Sequence, residues 1–202
     1  MVFRPASYRA GFGKVLTLGV AAVGLLALAF PAANGAWADV ARNFWPVLFA
    51  VAVVWALFWA PELRLEHDSV VVRNVLRTHE VPWPAIERID TKYAVTLYTP
   101  EAQISVWALP APSRFAVGSM TRDDARHVRE SAVGPGNLIR PGDALSTVSG
   151  AAAHALRTRW EELRDAGQLG DARTAPVTTR WHAATIAGLL ALAGAAILVP
   201  LL

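Results

Sequence analysis

Residues able to do chemistry occur throughout this 202-residue chain, but their spacing completes no catalytic set. Gly11-Phe12-Gly13-Lys14 resembles a fragment of a phosphate loop. That loop also needs a glycine five residues before the second one and Ser or Thr after the lysine, where Tyr8 and Val15 stand. Gly134-Pro135-Gly136 lacks the third glycine and the strand and helix of a dinucleotide fingerprint. His79-Glu80 would open a zinc-binding helix only with a second histidine at position 83, which is Trp83. Histidines 67, 79, 127, 154 and 182 fall in unrelated segments, and no cysteine can supply a thiolate or a disulfide. Asp123-Asp124 and Glu161-Glu162 sit among arginines as solvated faces, and no nucleophile elbow is present. The expectation is a protein without catalytic residues, cofactor or metal.

Charge has to be placed before it is interpreted. The chain carries 19 Lys+Arg against 16 Asp+Glu, a net +3, and its pI is near 9.8. Between Glu62 and Arg180 there are 15 basic and 15 acidic side chains, so Arg4, Arg9 and Lys14 account for the excess. A nucleic-acid binder carries its excess on the binding domain, which excludes nucleic acid as a partner here. Charged residues make up only 17% of the chain and hydrophobic ones 54%, against about 25% charged in a soluble domain.

Three apolar runs explain that deficit. Residues 15–33 hold one polar side chain, Thr17; residues 44–61 carry no charge; residues 183–202 hold only Thr185. Each approaches the ~30 Å hydrocarbon core of a bilayer at ~1.5 Å per helical residue. The polar domain of 119 residues from 62 to 180 is too small to wrap three such helices, so all three are expected in a membrane. Trp45, Trp59 and Trp181 lie near run ends, where interfacial aromatics belong. Ala52, Ala56 and Ala60, and likewise Ala187, Ala191 and Ala195, recur at spacing four, which lets helix backbones approach closely; a chain so rich in alanine also produces this pattern without packing meaning.

The basic flank, residues 1–14, and Arg173 and Arg180 before the third run outweigh the 34–43 loop, which has Arg42 against Asp39. Positive-inside counting puts the N-terminus and the 62–180 domain in the cytoplasm, with the 34–43 loop and the C-terminus outside. Ala36-Trp37-Ala38 resembles a signal-peptide cleavage site, but the run before it exceeds the 7–15 residues usual for such a segment.

The polar centre reads as a β-meander. Leu63 and Leu65, Val70–Val72, Val75–Val81, Ile89, Tyr93–Tyr98 and Ile104–Trp107 are strand-like, separated by His67-Asp68-Ser69, Asn74, a helical turn over 85–88, and Thr99-Pro100-Glu101. Trp83 and Trp107 are expected as anchors of the fold. Residues 119–142 are expected as a loop or insertion with a short helix starting at Thr121. From 143 to 168, Leu145, Val148, Ala152, Leu156, Trp160 and Leu163 recur at helical steps, with Asp143 or Ser146 as cap and Gly167 as stop. Residues 169–182 are left as a linker.

The stretch LRLEHDSVVVRNVLRTHEVPWPAIERI, followed by SVWALPAP, resembles the PH-like domains of actinobacterial membrane proteins, more narrowly the low-molecular-weight-antigen-6 type. Val72-Arg73-Asn74, Arg77, Val81-Pro82-Trp83, Ile86 and Ala108–Pro112 carry the likeness, with Asn74, Pro82, Trp83 and Ile86 as its signature. The short strands by themselves make a small barrel or sandwich; the resemblance implies a strongly bent seven-stranded, barrel-like sheet over 62–118 closed by the amphipathic helix, and hence an α+β membrane protein with a bent β-barrel or sandwich. The first hairpin, Glu66-His67-Asp68, would repel the phosphate that eukaryotic PH domains hold there. Arg73, Arg77, Arg88 and Lys92 are the remaining candidates for a lipid- or partner-binding face, each worth up to about 1 kcal/mol near an anionic surface. Glu80, Glu87 and Asp90 interleave with them, so they also fit ordinary outward strand positions. The expected function is a non-enzymatic interaction or accessory subunit among other integral membrane proteins; the alternative is binding or sensing of anionic membrane lipid.

Overall fold

The computed structural model describes residues 4–111, 145–172 and 175–201. The expected loop and short helix over 119–142, with Asp143, lie outside these residues. In chain order the elements are β1 (Ala6–Tyr8), α1 (Gly11–Ala33), α2 (Trp37–Val54) with a π turn at Trp55–Trp59, β2 (Glu62–Leu65), β3 (Ser69–Arg73), β4 (Arg77–Pro82), a 3₁₀ turn (Trp83–Ala85), β5 (Arg88–Asp90), β6 (Ala94–Tyr98), β7 (Gln103–Pro110), α3 (Val148–Asp165), β8 (Thr178–Trp181) and α4 (Ala183–Leu198). They form two compact units, one of sheets and one of helices.

The sheet unit holds a five-stranded sheet, β1-β2-β3-β4-β8, and a three-stranded antiparallel sheet, β5-β6-β7. Of the expected barrel or sandwich, the structure has two separate sheets and no closed barrel; six strands, β2 to β7, lie within the described part of 62–118, and β1 and β8 join from outside that span. Alternation fills the space between them: Leu63, Leu65, Val70, Val72, Val81, Val95, Leu97, Ile104 and Val106 are buried. Helix α3 adds Ala152, Ala153, Leu156 and Leu163 to the same core. It starts at Val148, with the Thr147 hydroxyl accepting from Gly150 N at 3.0 Å, so the cap is Thr147 and not Ser146. It ends at Gly167, whose φ of +66° suits glycine. Arg157 on α3 is buried, and its guanidinium reaches the Ile89 carbonyl at 3.5 Å.

Both sheet edges lie where no strand was expected. The basic flank contains β1, paired antiparallel to β2 as Ala6↔Leu65, Ser7↔Arg64 and Tyr8↔Leu63. The linker contains β8, which closes the other edge beside β4, where His79 Nδ1 lies 2.9 Å from the Thr179 hydroxyl. Three residues are too short a run to show alternation against the neighbouring apolar segments. Glu62 fastens β1: Ser7 Oγ donates to its Oε1 at 2.7 Å, the Arg9 guanidinium pairs with Oε2, and Arg64 lies 3.8 Å away.

In the helical unit all three helices are long and apolar enough to cross a membrane. Their boundaries differ from the apolar runs. Helix α1 begins at Gly11, four residues early, and α2 at Trp37, so the expected 34–43 loop shrinks to residues 34–36 around Gly35 (φ +71°). Asp39 in the first turn of α2 complements the helix dipole, and Asn43 Nδ2 donates to Asp39 O at 2.8 Å, which keeps these polar turns helical.

Helix α2 packs against both α1 and α4. On α1 the buried residues are Gly13, Thr17 and Gly24, none of them in the spacing-four alanine pattern. A Cβ at Gly13 would run into the Phe58 carbonyl on the π turn, and one at Gly24 into the Val47 side chain. The Thr17 hydroxyl is satisfied by Gly13 O at 2.8 Å. Of the alanines, Ala56 and Ala60 are buried, Ala52 and Ala195 half-buried, and Ala187 and Ala191 exposed.

Two outcomes follow. Gly13→Ala forces backbone apart at the α1–α2 seam and lowers the thermal stability of the detergent-solubilised protein by about 1–3 kcal/mol, whereas Gly11→Ala, with nothing within 4 Å, leaves it unchanged. Burial alone would raise the Glu62 carboxyl, but hydrogen bonds from Arg9 and Ser7 and the charges of Arg9 and Arg64 outweigh it, so the group sits below its ordinary 4.5. A lowered native value stabilises above pH 4.5, and the contribution disappears as pH falls through the native value. The stability gap between wild type and Glu62→Gln, followed by thermal melts, should be constant near neutrality and close in acid; a gap that persists unchanged in acid contradicts the assignment.

Candidate partner-binding face

The outward face of the three-stranded sheet gathers the exposed aromatic and basic side chains. With Ile89, Val95, Leu97, Ile104 and Val106 turned inward, period-two alternation sends Arg88, Thr96, Tyr98, Gln103, Ser105 and Trp107 outward. The register sets Arg88 opposite Tyr98 and Tyr98 opposite Gln103. The Arg88 guanidinium lies 3.8 Å from the Tyr98 ring centroid, a stacked cation–π contact. Next to this row the Thr96 and Ser105 hydroxyls are 3.2 Å apart.

The β5–β6 turn extends the patch. The Asp90 carboxylate accepts from the backbone N–H of Thr91 at 2.7 Å and of Lys92 at 3.1 Å, which shapes the turn. The turn presents Lys92 and Tyr93; the ring is 78% exposed, with Lys92 Nζ 5.0 Å from its centroid. Trp107 is 57% exposed, so it is no core anchor. The inward set Ile104, Val106 and Ala108 already implies its outward direction. Asn74 fixes the strand that carries it: its Nδ2 donates to Ser105 O, and its Oδ1 accepts from Trp107 N, both at 2.9 Å. The signature asparagine is thus a clip between the end of β3 and β7.

The other signature residues hold the core. Trp83 is buried, its indole N–H donating to Glu66 O at 3.2 Å and its backbone N–H to Asp68 O at 3.3 Å. Pro82 pairs with Ser69 in the β3–β4 ladder. Ile86 is buried, and its carbonyl accepts from Trp160 Nε1 at 2.9 Å. The expected helical turn falls at 83–85 instead of 85–88, with Pro84 inside it.

The four basic candidates separate. Arg88 and Lys92 share the second sheet, while Arg73 ends β3 and Arg77 begins β4 of the first. Beside Arg88 a hollow of about 140 Å³ is lined by Glu87, Ile89, Arg157, Trp160 and Glu161. That is below the ~300 Å³ at which small-molecule pockets begin, and it matches a single inserted side chain. Among the described residues no group of three or more His, Asp or Glu is placed to hold a metal ion. Exposed Tyr93, Trp107 and Arg88 are of the residue types enriched at protein-contact surfaces.

No curated protein and no solved structure matches the chain. Residues 60–159 match the family described as Bacterial PH domain. The match covers β2 to β7 and the first two-thirds of α3, the elements that build the core and the aromatic face, so this part of the chain is similar to the bacterial PH domains.

Proposed function

We propose that this is a non-enzymatic integral membrane protein whose PH domain acts as an interaction or accessory subunit of a bacterial plasma-membrane complex. The observation that carries the reading is the outward face of the three-stranded sheet, which shows exposed Arg88, Tyr93 and Trp107 beside half-buried Tyr98. Only residues 9–10, 60–61 and 182 separate β1, β2 and β8 from α1, the π turn and α4. Such short joints hold the domain beside the bilayer and raise its effective concentration toward membrane partners. The pairing of β1 with β2 supports placing the N-terminal arm and the domain on one side, the cytoplasmic side by the positive-inside count, with a third crossing carrying the end of α4 to the other. The narrower kinship with actinobacterial, antigen-6-type proteins rests on Val72–Ile86.

A photo-crosslinking residue placed at Trp107 in intact cells tests this. One discrete adduct with another membrane protein is expected, reduced about tenfold by Arg88→Ala combined with Tyr93→Ala, as for two hot-spot side chains. The same probe at the exposed Gln168 gives none. Equal adducts at both positions, or none at Trp107, contradict the proposal.

A further inference from the structure

The β3–β4 connection does something that neither the core nor the aromatic face requires. Val75, Leu76 and Arg77 cluster with the helical unit and not with the sheets that flank them in sequence. They are tied to the residues that lead into α4. The His182 backbone N–H donates to Leu76 O at 2.8 Å, and His182 Nδ1 lies 3.2 Å from Val75 O. The Arg77 guanidinium sits 5.5 Å from the Trp181 ring centroid. Trp181 is nevertheless 62% exposed and Leu76 42% exposed, so an apolar surface and a cation stand side by side without cover. No acidic residue occurs within 75–77 or 178–182.

Helix α4 supplies the location. Its apolar stretch, Ala183–Leu201, is 19 residues long, ~28 Å at ~1.5 Å per residue, the thickness of a hydrocarbon core. On the reading that α4 crosses the bilayer, Trp181 and His182 stand at the headgroup layer, and the hydrogen bonds to Val75 and Leu76 hold Arg77 at the same depth. Tryptophan prefers that layer because its ring is apolar and its N–H is not. A guanidinium there meets lipid phosphates and can bind two oxygens at once.

We infer that Leu76, Arg77 and Trp181 form a seat for the headgroup of an anionic phospholipid, Arg77 taking the phosphate and Leu76 and Trp181 the glycerol and upper acyl region. The site is separate from the β2–β3 hairpin, where Glu66 and Asp68 face any phosphate with negative charge.

The test uses the full chain. Carbonate extraction of membranes first checks the transmembrane reading: release into the supernatant overturns that reading and this inference with it. Retained protein, purified in mild detergent, is then offered equimolar phosphatidylglycerol and phosphatidylcholine and examined by native mass spectrometry. Wild type should retain phosphatidylglycerol preferentially, and Arg77→Gln should cut the preference about fivefold, the worth of one basic side chain at an anionic surface. Arg77→Lys, which preserves the charge, should keep most of the preference, and Arg164→Gln on α3 should leave it whole. A ratio of two lipids does not depend on the yield of folded protein, so partial misfolding of a variant cannot imitate the effect. Equal retention of both lipids by wild type, undiminished preference in Arg77→Gln, or displacement of phosphatidylglycerol by millimolar inorganic phosphate overturns the seat.

Discussion

The pairing of β1 with β2, fastened by the Glu62 carboxylate, is the constraint on which the rest of the chain depends. It brings the residues just before α1 and just after α2 into one sheet, Tyr8 opposite Leu63, although a helical hairpin of some fifty residues lies between them. The helical unit imposes the same closure on its own terms. Gly13, in the first turn of α1, packs so close to the Phe58 carbonyl that no side chain fits between them. Two sets of contacts, one in each unit, thus require the same two chain segments to be neighbours.

The division of labour inside the PH domain follows from strand periodicity. Inward positions of both sheets, the indole of Trp83 and the apolar stripe of α3 make one core. The two indole N–H groups at this core have local partners, Trp83 on Glu66 O and Trp160 on Ile86 O, and the Arg157 guanidinium reaches Ile89 O. With the core closed by these contacts, the outward positions of β5, β6 and β7 are not needed for packing between the sheets. Asn74 is the link between the two demands, since one amide side chain both closes the gap between the sheets and fixes the strand segment that displays Trp107.

The sequence was legible wherever a signal spans several residues. Apolar runs located the three helices, alternation located β2 to β7, and helical periodicity located α3; the VPW block led to the PH domain. Short or context-dependent features were not legible. Strands β1 and β8 are three and four residues long and are strands only because β2 and β4 offer them ladders. The polar first turns of α2 looked like a loop because hydropathy marks hydrocarbon depth and not where helical hydrogen bonding begins. Gly13 and Gly24 were overlooked because glycine shows its meaning only against the opposing backbone. Arg9 and Arg77, which look alike as surface charges, have different surroundings: one closes on Glu62, the other lies beside Trp181.

The account is tested most directly by joining β1 to β2. The protein has no native cysteine, so Ser7→Cys with Arg64→Cys, whose Cα atoms are ladder partners, is a clean pair within disulfide reach. Mild oxidation of inside-out membrane vesicles should give a reducible intramolecular bond, seen as a changed gel mobility. Ser7→Cys with Glu80→Cys, three strands away across β2 and β3, should give none. Failure of the first pair to close, or equal closure of both, would contradict the claim that the arm before α1 belongs to the PH domain's sheet.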